Sequence, residues 1–298
     1  MVERKLKGVC FGEILFDVFL KNKKIGGAPL NVASRIKSLR GDISIIRAVG
    51  NDEDGRELIT YSSSLGINAS TIQVKDEYPT GLVNVILDEK GNASYDIQYP
   101  SAWDKIEVSK EYIALVNEAD FFVFGSLASR DDVSRSTLKQ LLEVAKYKIF
   151  DINLRAPHYA METLLDFMNA ADFIKFNDDE LYEIAINLKS PFKSLEQNIK
   201  FISEATKTDR VCVTLGSHGA VLYTNQQFYY NCGYKVKVMD AVGSGDSFLA
   251  TLITTLFTEN NPQKAINCAC AIGAIVAQNE GANPVIKQEE LDEFLKGF

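Results

Sequence analysis

Short apolar runs alternate with amphipathic stretches along almost the whole chain. Ile43 to Val49, Phe121 to Phe124, Lys148 to Asn153, Phe173 to Phe176 and Val211 to Leu215 are compact runs, the pattern of strands buried on both faces. Between them lie segments of helical period with stop signals. Pro29 suits a first helical turn, Val32, Ile36 and Leu39 share one face, and Gly41 can cap the end. Asp54 to Leu65 predicts a second helix, stopped at Gly66. Phe248 to Phe257 and Cys268 to Ala277 are too short to cross a bilayer and read as buried helices. The alternation predicts an α/β fold, a mostly parallel sheet flanked by helices.

One section breaks this rhythm. Gly81 to Asp88 and Ala93 to Gln98 are β-prone segments around Asp88-Glu89-Lys90-Gly91-Asn92, which reads as a hairpin. Val83, Val85 and Leu87 alternate with Asn84, Ile86 and Asp88, so one face is mostly apolar and needs a surface to lie against. With Ile14 to Leu20 these segments can form a small lobe, a lid built from about residues 12–26 and 79–104. An edge hairpin of the main sheet fits the pattern as well. No repeat or long linker divides the chain, so residues 1–298 are expected to be a single domain.

Composition narrows the classes. The 298 residues are 46% hydrophobic and 24% charged, which excludes a disordered chain. With 32 Lys plus Arg against 40 Asp plus Glu, the net charge is −8. Such a chain has no bulk attraction for nucleic acid or an anionic membrane, and any anionic ligand must be held by local groups. The start of the chain is charged and breaks at Gly12-Glu13, unlike a secretory signal. The five cysteines lack zinc or disulfide spacing. A cytoplasmic location is expected.

The strongest chemical signal is Asp240-Ala241-Val242-Gly243-Ser244-Gly245-Asp246-Ser247-Phe248, followed at once by an apolar helical run. Gly243 and Gly245 permit a sharp turn and close approach of a ligand, and the helix start offers unpaired N–H groups and a positive dipole end. Asp246 would repel the anion such a loop suits. Phosphoryl transfer resolves the conflict: the amides hold the moving phosphoryl while the carboxylate takes the proton of the attacking alcohol. A capped helix with Asp246 in its first turn is the plainer explanation. GxxxxGK[ST], the HRD and DFG set, GxSxG and HExxH are absent, and Phe248 stands where a dinucleotide fingerprint needs a third glycine. Two histidines, His158 and His218, cannot make a histidine-rich metal site.

Other constellations gain meaning beside this loop. Gly26 to Asn31 puts a diglycine before a Pro-started helix, with Asn31 able to bond sugar hydroxyls, or marks only a turn and helix start. Gly12 to Asp17 ends a strand with an acid in an apolar setting. Asp151 to Arg155 lies at a strand's C-terminal end, where ligands of open α/β sheets collect, and Arg155 suits a phosphate or substrate clamp. Asn177 and Glu180 share a helix face and suit a hydrated Mg²⁺, or else an acidic helix N-terminus complementing the dipole. Thr214 to Gly219 ends a strand with glycines that can admit a nucleotide or form a hairpin turn.

These residues, in this order, resemble the ribokinase-like (PfkB) carbohydrate kinase family. Gly26 to Asn31 looks like its N-terminal signature, Asp240 to Phe248 like its DTxGAGDSF signature, Asn177 to Glu180 like NxxE, and Thr214 to Gly219 like TxGxxG. The likeness spans essentially the whole chain. Gly12 to Asp17, Ala102 to Asp104, Phe124 to Arg130 and Asp151 to Arg155 look most like the bacterial fructokinases. The resemblance implies a ribokinase-like, Rossmann-like α/β domain with a β-sheet lid, ATP as phosphoryl donor, and Mg²⁺. It implies sugar binding by Asp17, Gly27, Asn31, Arg155 and Asp246, with Asp246 as base and Gly243, Ser244 and Gly245 as anion hole. Nucleotide contacts would come from Asn177, Thr214, Gly216, Gly219, Gly243, Gly245 and Cys270. Asn177 and Glu180 would organise Mg²⁺ through water, and Asp240 would serve a monovalent cation, K⁺. Ala241 and Ser244 replace the usual Thr and Ala of the signature, Leu30 stands where a small residue is common, and Ala241 bears directly on the cation site. The expected reaction is phosphorylation of D-fructose at its 6-hydroxyl, by a homodimer joined through the lid. Rivals are a kinase of 2-keto-3-deoxygluconate, ribose or a nucleoside, and a catalytically silent sugar-binding regulator.

Overall fold

The structure, a computed structural model, describes residues 5–19, 22–87 and 93–296. In chain order its strands are β1 (Lys7–Phe11), β2 (Leu15–Phe19), β3 (Asn22–Gly26), β4 (Asp42–Gly50), β5 (Ile72–Lys75) and β6 (Gly81–Leu87). They continue as β7 (Ala93–Ile97), β8 (Phe121–Gly125), β9 (Lys148–Asp151), β10 (Phe173–Asn177), β11 (Arg210–Thr214), β12 (Ala220–Thr224) and β13 (Gln227–Asn231). The helices are α1 (Ala28–Ser38), α2 (Glu53–Ser64), α3 (Lys110–Glu118), α4 (Asp132–Val144) and α5 (Met161–Ala170). After them come α6 (Asp178–Asn187), α7 (Leu195–Thr206), α8 (Ser244–Glu259), α9 (Pro262–Ala277) and α10 (Gln288–Leu295).

Side chains alternate across a strand, so a run apolar at every position must be covered twice. In β8, Phe122 and Phe124 enter one core cluster, while Phe121 and Val123 enter another. β1 does the same with Val9 and Phe11 against Cys10. The first cluster takes its helical residues from α3 to α7, the second from α1, α2, α8 and α9. Between these layers lies a nine-stranded sheet of order β13-β12-β11-β10-β9-β8-β1-β4-β5. It is parallel from β11 to β5, and β12 and β13 add an antiparallel edge. Among the described residues no helix is long and apolar enough to cross a membrane.

The segments that broke the rhythm form a second sheet, of order β3-β2-β6-β7, rather than an edge hairpin of the first. Two of its pairs are antiparallel, and β2 runs parallel to β6. The turn expected at Asp88 to Asn92 and the end of the first segment at Leu20 lie outside the described residues.

Two boundaries differ from the sequence reading. The α1 stop is made by Arg40, at φ 66°, and Gly41 follows it, its N–H bonding to the Ile36 carbonyl at 3.0 Å. Glycine is needed there because a Cβ would lie 2.5 Å from Ile36 Cγ2. The α2 stop is Gly66 itself, at φ 69°. β9 ends at Asp151, and the chain turns away at Asn153, whose φ is 40°.

The junction of the small sheet with the body is polar and buried. The Arg130 guanidinium lies 4.0 Å from the Trp103 ring centroid and donates from Nε and Nη2 to the two Asp104 oxygens at 2.7 and 2.8 Å. Asp104 also accepts the Ser101 N–H at 2.8 Å. Gly81 of β6 packs on the same Trp103, where a Cβ would lie 2.3 Å from Nε1. Removing one partner of a buried ion pair strands the other. Asp104→Ala is therefore expected to lower unfolding stability by about 3–5 kcal/mol, read from the denaturant midpoint. A loss below about 1 kcal/mol, the range of exposed pairs, would mean this pair does not hold the junction.

Candidate active site

The centre of the site is the start of α8. Gly243 is its N-cap at φ 76°, and a Cβ there would lie 2.5 Å from Ala282 Cβ and 2.6 Å from its Cα. Both the left-handed backbone and the close approach of residues after α9 demand glycine. The first-turn N–H groups of Gly245 and Asp246 have no partner among the described residues, whereas the Ser244 N–H reaches the Ala241 carbonyl at 3.3 Å. Ser244 Oγ donates to the Gly273 carbonyl at 2.8 Å, tying the loop to α9. Two outward amides at a positive dipole end form an anion site.

Asp246, half-buried in this first turn, accepts a hydrogen bond from Asn31 Nδ2 at 2.8 Å. Burial pushes its carboxyl up to about 6, and Asp151 adds to the rise, while Asn31, Lys175 and Arg155 oppose it. Strand register explains two of these neighbours. Asp151 and Lys175 are paired on β9 and β10, and alternation turns both away from Phe150, Ile174 and Phe176, toward the layer that holds α8. Lys175 Nζ donates to Asp151 Oδ1 at 2.8 Å, both side chains buried. The same ammonium lies 3.8 Å from a Cβ built on Gly245, directly beneath the loop. Burial works against its charge, but Asp151, Glu180 and Asp246 more than offset this and raise its pKa.

α1 packs directly against α8. Its N-cap is Gly27, at φ 115°, where a Cβ would lie 2.6 Å from the Glu13 carbonyl oxygen. Asn31 is buried in the first turns, and its Oδ1 accepts from Asn283 Nδ2 at 2.9 Å. Asp17 on β2 is half-buried with no hydrogen-bond partner among the described residues, and burial pushes it up to about 6 against the pull of Arg155 and Lys24. Arg155 is exposed, its Nη1 on the Leu154 carbonyl at 2.8 Å. Glu13 is buried and its carboxyl well raised by burial, with its own N–H, Arg155, Arg47 and the Ala28 N–H pulling it back. Arg47 is fully buried, and its guanidinium has no hydrogen-bond partner among the described residues.

A cavity of about 600 Å³ opens on the other side of the loop and brings together Thr214, Gly216, Gly219, Ser244, Gly245 and Cys270. Asn177 and Glu180 do not line it. They form a capping box: Asn177 Oδ1 accepts the Glu180 N–H at 2.8 Å, and Glu180 returns the bond to the Asn177 N–H at 2.8 Å. The other Glu180 oxygen accepts the Leu154 N–H at 2.9 Å. Both carboxylate oxygens thus serve the backbone. The pair fits the outer shell of a hydrated Mg²⁺ carried by phosphate oxygens, not a direct ligand set. Among the described residues no cluster of three His, Cys, Asp or Glu could hold a metal ion.

Asp240 is already satisfied, by the Val242 N–H at 3.0 Å, the Gly281 N–H at 3.2 Å and the Lys24 ammonium at 3.3 Å. These hydrogen bonds and the lysine charge hold its carboxyl below the usual range against burial. The cation that Asp240 meets in this structure is the Lys24 ammonium.

Arg155 is thus within electrostatic reach of both Asp17 and Asp246, Asn31 of α1 bonds Asp246, and Gly245 of the same first turn lines the cavity that holds Thr214 and Cys270. Sequence reasoning missed Lys175, Asn283 and Lys24. The one available signal was Lys175, a charge inside an otherwise apolar strand run.

Comparison with known proteins adds the relationships. Residues 6–289 match the model of the pfkB family carbohydrate kinases. The fructokinase of Solanum tuberosum is 29% identical, with 97% of this chain and 95% of that protein aligned. Fructokinase-2 of Solanum lycopersicum is 28% identical over 93% of this chain and 92% of its own length. Among solved structures, a fructokinase double mutant of Vibrio cholerae with fructose, ADP and potassium superposes at TM-score 0.82, 25% identical, covering 97% of this chain and 98% of that one. The aminoimidazole riboside kinase of Salmonella enterica shares the fold at TM-score 0.80 and 22% identity, over 97% of this chain and 99% of its own.

The raised Asp246 carboxyl is also a statement about stability. Its folded value of about 6 exceeds the usual 3.8, so the folded protein binds this proton more tightly than the unfolded chain. The stability it contributes is complete below about 3.8 and lost as pH rises through about 6. Asp246→Asn keeps the shape and removes the ionisation. It is expected to stabilise the protein at neutral pH by about 1–2 kcal/mol after discounting for solvent exposure, with the gap closing near pH 4. Urea titrations at both pH values check this, and an unchanged neutral-pH stability would show that the loop fully compensates the charge.

Proposed function

The chain belongs to the pfkB family of carbohydrate kinases, and from that premise we propose that it is a fructokinase, moving the γ-phosphoryl of ATP to the 6-hydroxyl of D-fructose. The observation that carries the reaction is Asp246 itself. One carboxylate oxygen is held by Asn31, and the helix start around it leaves two amides unpartnered beside a cavity of about 600 Å³. An alcohol and a triphosphate entering from opposite sides would meet at this carboxylate. The fructokinase relatives and the fructose-bound Vibrio cholerae structure support the ketose.

In the step, the O–H bond of the sugar breaks as its oxygen bonds the γ-phosphorus, the proton passes to Asp246, and ADP leaves with the electrons of the broken P–O bond. Gly245 and Asp246 amides and the Lys175 ammonium below them stabilise charge on the phosphoryl oxygens. Asn177 and Glu180 would organise a bound Mg²⁺ through water, and the ion would supply positive charge to the phosphates. Asp17, Asn31 and Gly27 hold the sugar, Arg155 clamps substrate or phosphate, and Thr214, Gly216, Gly219 and Cys270 receive the nucleotide. The β3-β2-β6-β7 sheet acts as a lid that carries Asp17 over the sugar and excludes water. Its outer face would join a second copy in a cytoplasmic homodimer.

An ionised base is required, so activity is lost as pH falls through the Asp246 value of about 6. We expect kcat/KM to fall about tenfold per unit below that point, the slope of a single protonation. Asp246→Asn is expected to reduce kcat by roughly 10²–10⁴-fold with little change in sugar KM. Coupled ADP-release assays over fructose, ribose, nucleosides and 2-keto-3-deoxygluconate test the substrate. Preference for any of the last three would reject fructose but keep the kinase, and sugar binding without ADP release would leave a silent regulator.

A further inference from the structure

We propose that Asn283 is a positioning residue for the general base, locking the Asn31 amide so that its NH₂ and not its carbonyl faces Asp246. The inference rests on the kinase reading above. An asparagine amide has two ends of nearly equal shape and opposite polarity, so packing alone does not choose between its two orientations. At Asn31 the choice is made by neighbours. Its Nδ2 donates to Asp246 Oδ2 at 2.8 Å, and its Oδ1 accepts from Asn283 Nδ2 at 2.9 Å. A flipped Asn31 would set carbonyl against carboxylate on one side and NH₂ against NH₂ on the other. Asn31 is 3% exposed, which leaves solvent little access to substitute for either partner.

Asn283 holds its own orientation at a disadvantage. Its Oδ1 is buried without a partner among the described residues, and such an orphan in a folded protein calls for a reason. Turning the amide over would place that oxygen against Asn31 Oδ1, so the unpartnered atom is the consequence of aiming Nδ2 at Asn31. The backbone around it is fixed from both sides of the cleft. The Gly281 N–H reaches Asp240 at 3.2 Å, Ala282 fills the space that a Gly243 side chain would need, and Arg35 Nη2 of α1 donates to the Pro284 carbonyl at 3.0 Å. Residues 281–284 thus measure the helix carrying Asn31 against the loop carrying Asp246.

The consequence for the base is direct. Among the described residues, Asn31 makes the one hydrogen bond to the Asp246 carboxylate. It holds Oδ2 and leaves Oδ1 to the incoming alcohol. The other charged groups that face Asp246 are Asp151 at the end of β9, Lys175 on β10 and Arg155 beyond β9. Lys175 donates to Asp151 and Arg155 to the Leu154 carbonyl, and an ionised Asp151 has no proton to give, so losing the Asn31 orientation both misaims the carboxylate and raises its proton affinity.

Two near-isosteric variants test this. Asn283→Asp accepts only, so Asn31 would turn its NH₂ toward residue 283 and present its carbonyl to Asp246. We expect kcat to fall by about tenfold or more, the scale of one hydrogen bond to a charged group, and the acid limb of the pH profile to move upward by about one unit. Asn283→Leu removes the donor and the orphan oxygen together. It is expected to melt at or above the wild-type temperature while kcat falls about threefold or more and the acid limb again rises. A purely structural asparagine would give the opposite pairing, lowered stability with an unmoved pH profile, and that result overturns the proposal. So would wild-type kcat and acid limb in both folded variants, or failure of both to fold. A wild-type protein with no ADP release on any sugar removes the kinase reading itself. Wild-type turnover that Asp246→Asn abolishes, alongside unaltered Asn283 variants, removes this inference alone.

Discussion

A carboxylate has to stay ionisable, half-buried, beside a loop shaped for anions, and the rest of the site answers that constraint. Asp246 shares its surroundings with Asp151, and Glu180 lies within electrostatic reach of the same lysine. Each carboxylate loses hydration on burial, and together they repel one another and any phosphate. Lys175 is the fixed answer, an ammonium anchored to Asp151 on the neighbouring strand and set beneath Gly245. Its stem rises from a rigid parallel strand pair, so it adds charge without the reorganisation that a mobile surface lysine would need.

The fold supplies the other half of the answer through close approach. Gly243 can adopt its conformation and pack on Ala282 only without a side chain. Gly27 meets the Glu13 carbonyl in the same way at the opposite wall. The two helices that carry Asn31 and Asp246, α1 and α8, therefore start from backbone-to-backbone contacts rather than from flexible loops. Preorganisation of this kind is what the proposed transfer requires of two amides and one carboxylate.

Several polar groups that look chemical in sequence also serve the frame. Glu180 spends both oxygens on backbone N–H groups, and Asp240 is satisfied by two amides and Lys24. Lys24 belongs to β3, so its ion pair with Asp240 joins the small sheet to the loop that precedes α8. Glu13 and Arg47 are a less complete case. Both are buried, and neither is fully hydrogen-bonded, although their opposite charges favour each other.

How much the sequence determined follows the range of the physics involved. Strands β8 and β10, the β-prone segments of β6 and β7 and the α8 start were legible, because apolar alternation, glycine punctuation and helix capping act within a few residues. The same locality made Asp246, Asn31, Gly243 and Asp17 visible as candidates. What stayed hidden was partnership across the chain. Nothing near Lys175 names Asp151, 24 positions away, as its counter-ion, and nothing near Asn31 names Asn283, 252 positions on. Asn177 and Glu180 by themselves favoured a helix start over a metal organiser, and only the carboxylate's bonds to backbone N–H groups identified the capping box. Local pattern specifies which backbone a segment adopts. Which charges neutralise each other is decided when strands and helices distant in sequence close on one space, since Coulomb and hydrogen-bond energies depend on separation in that space and not along the chain.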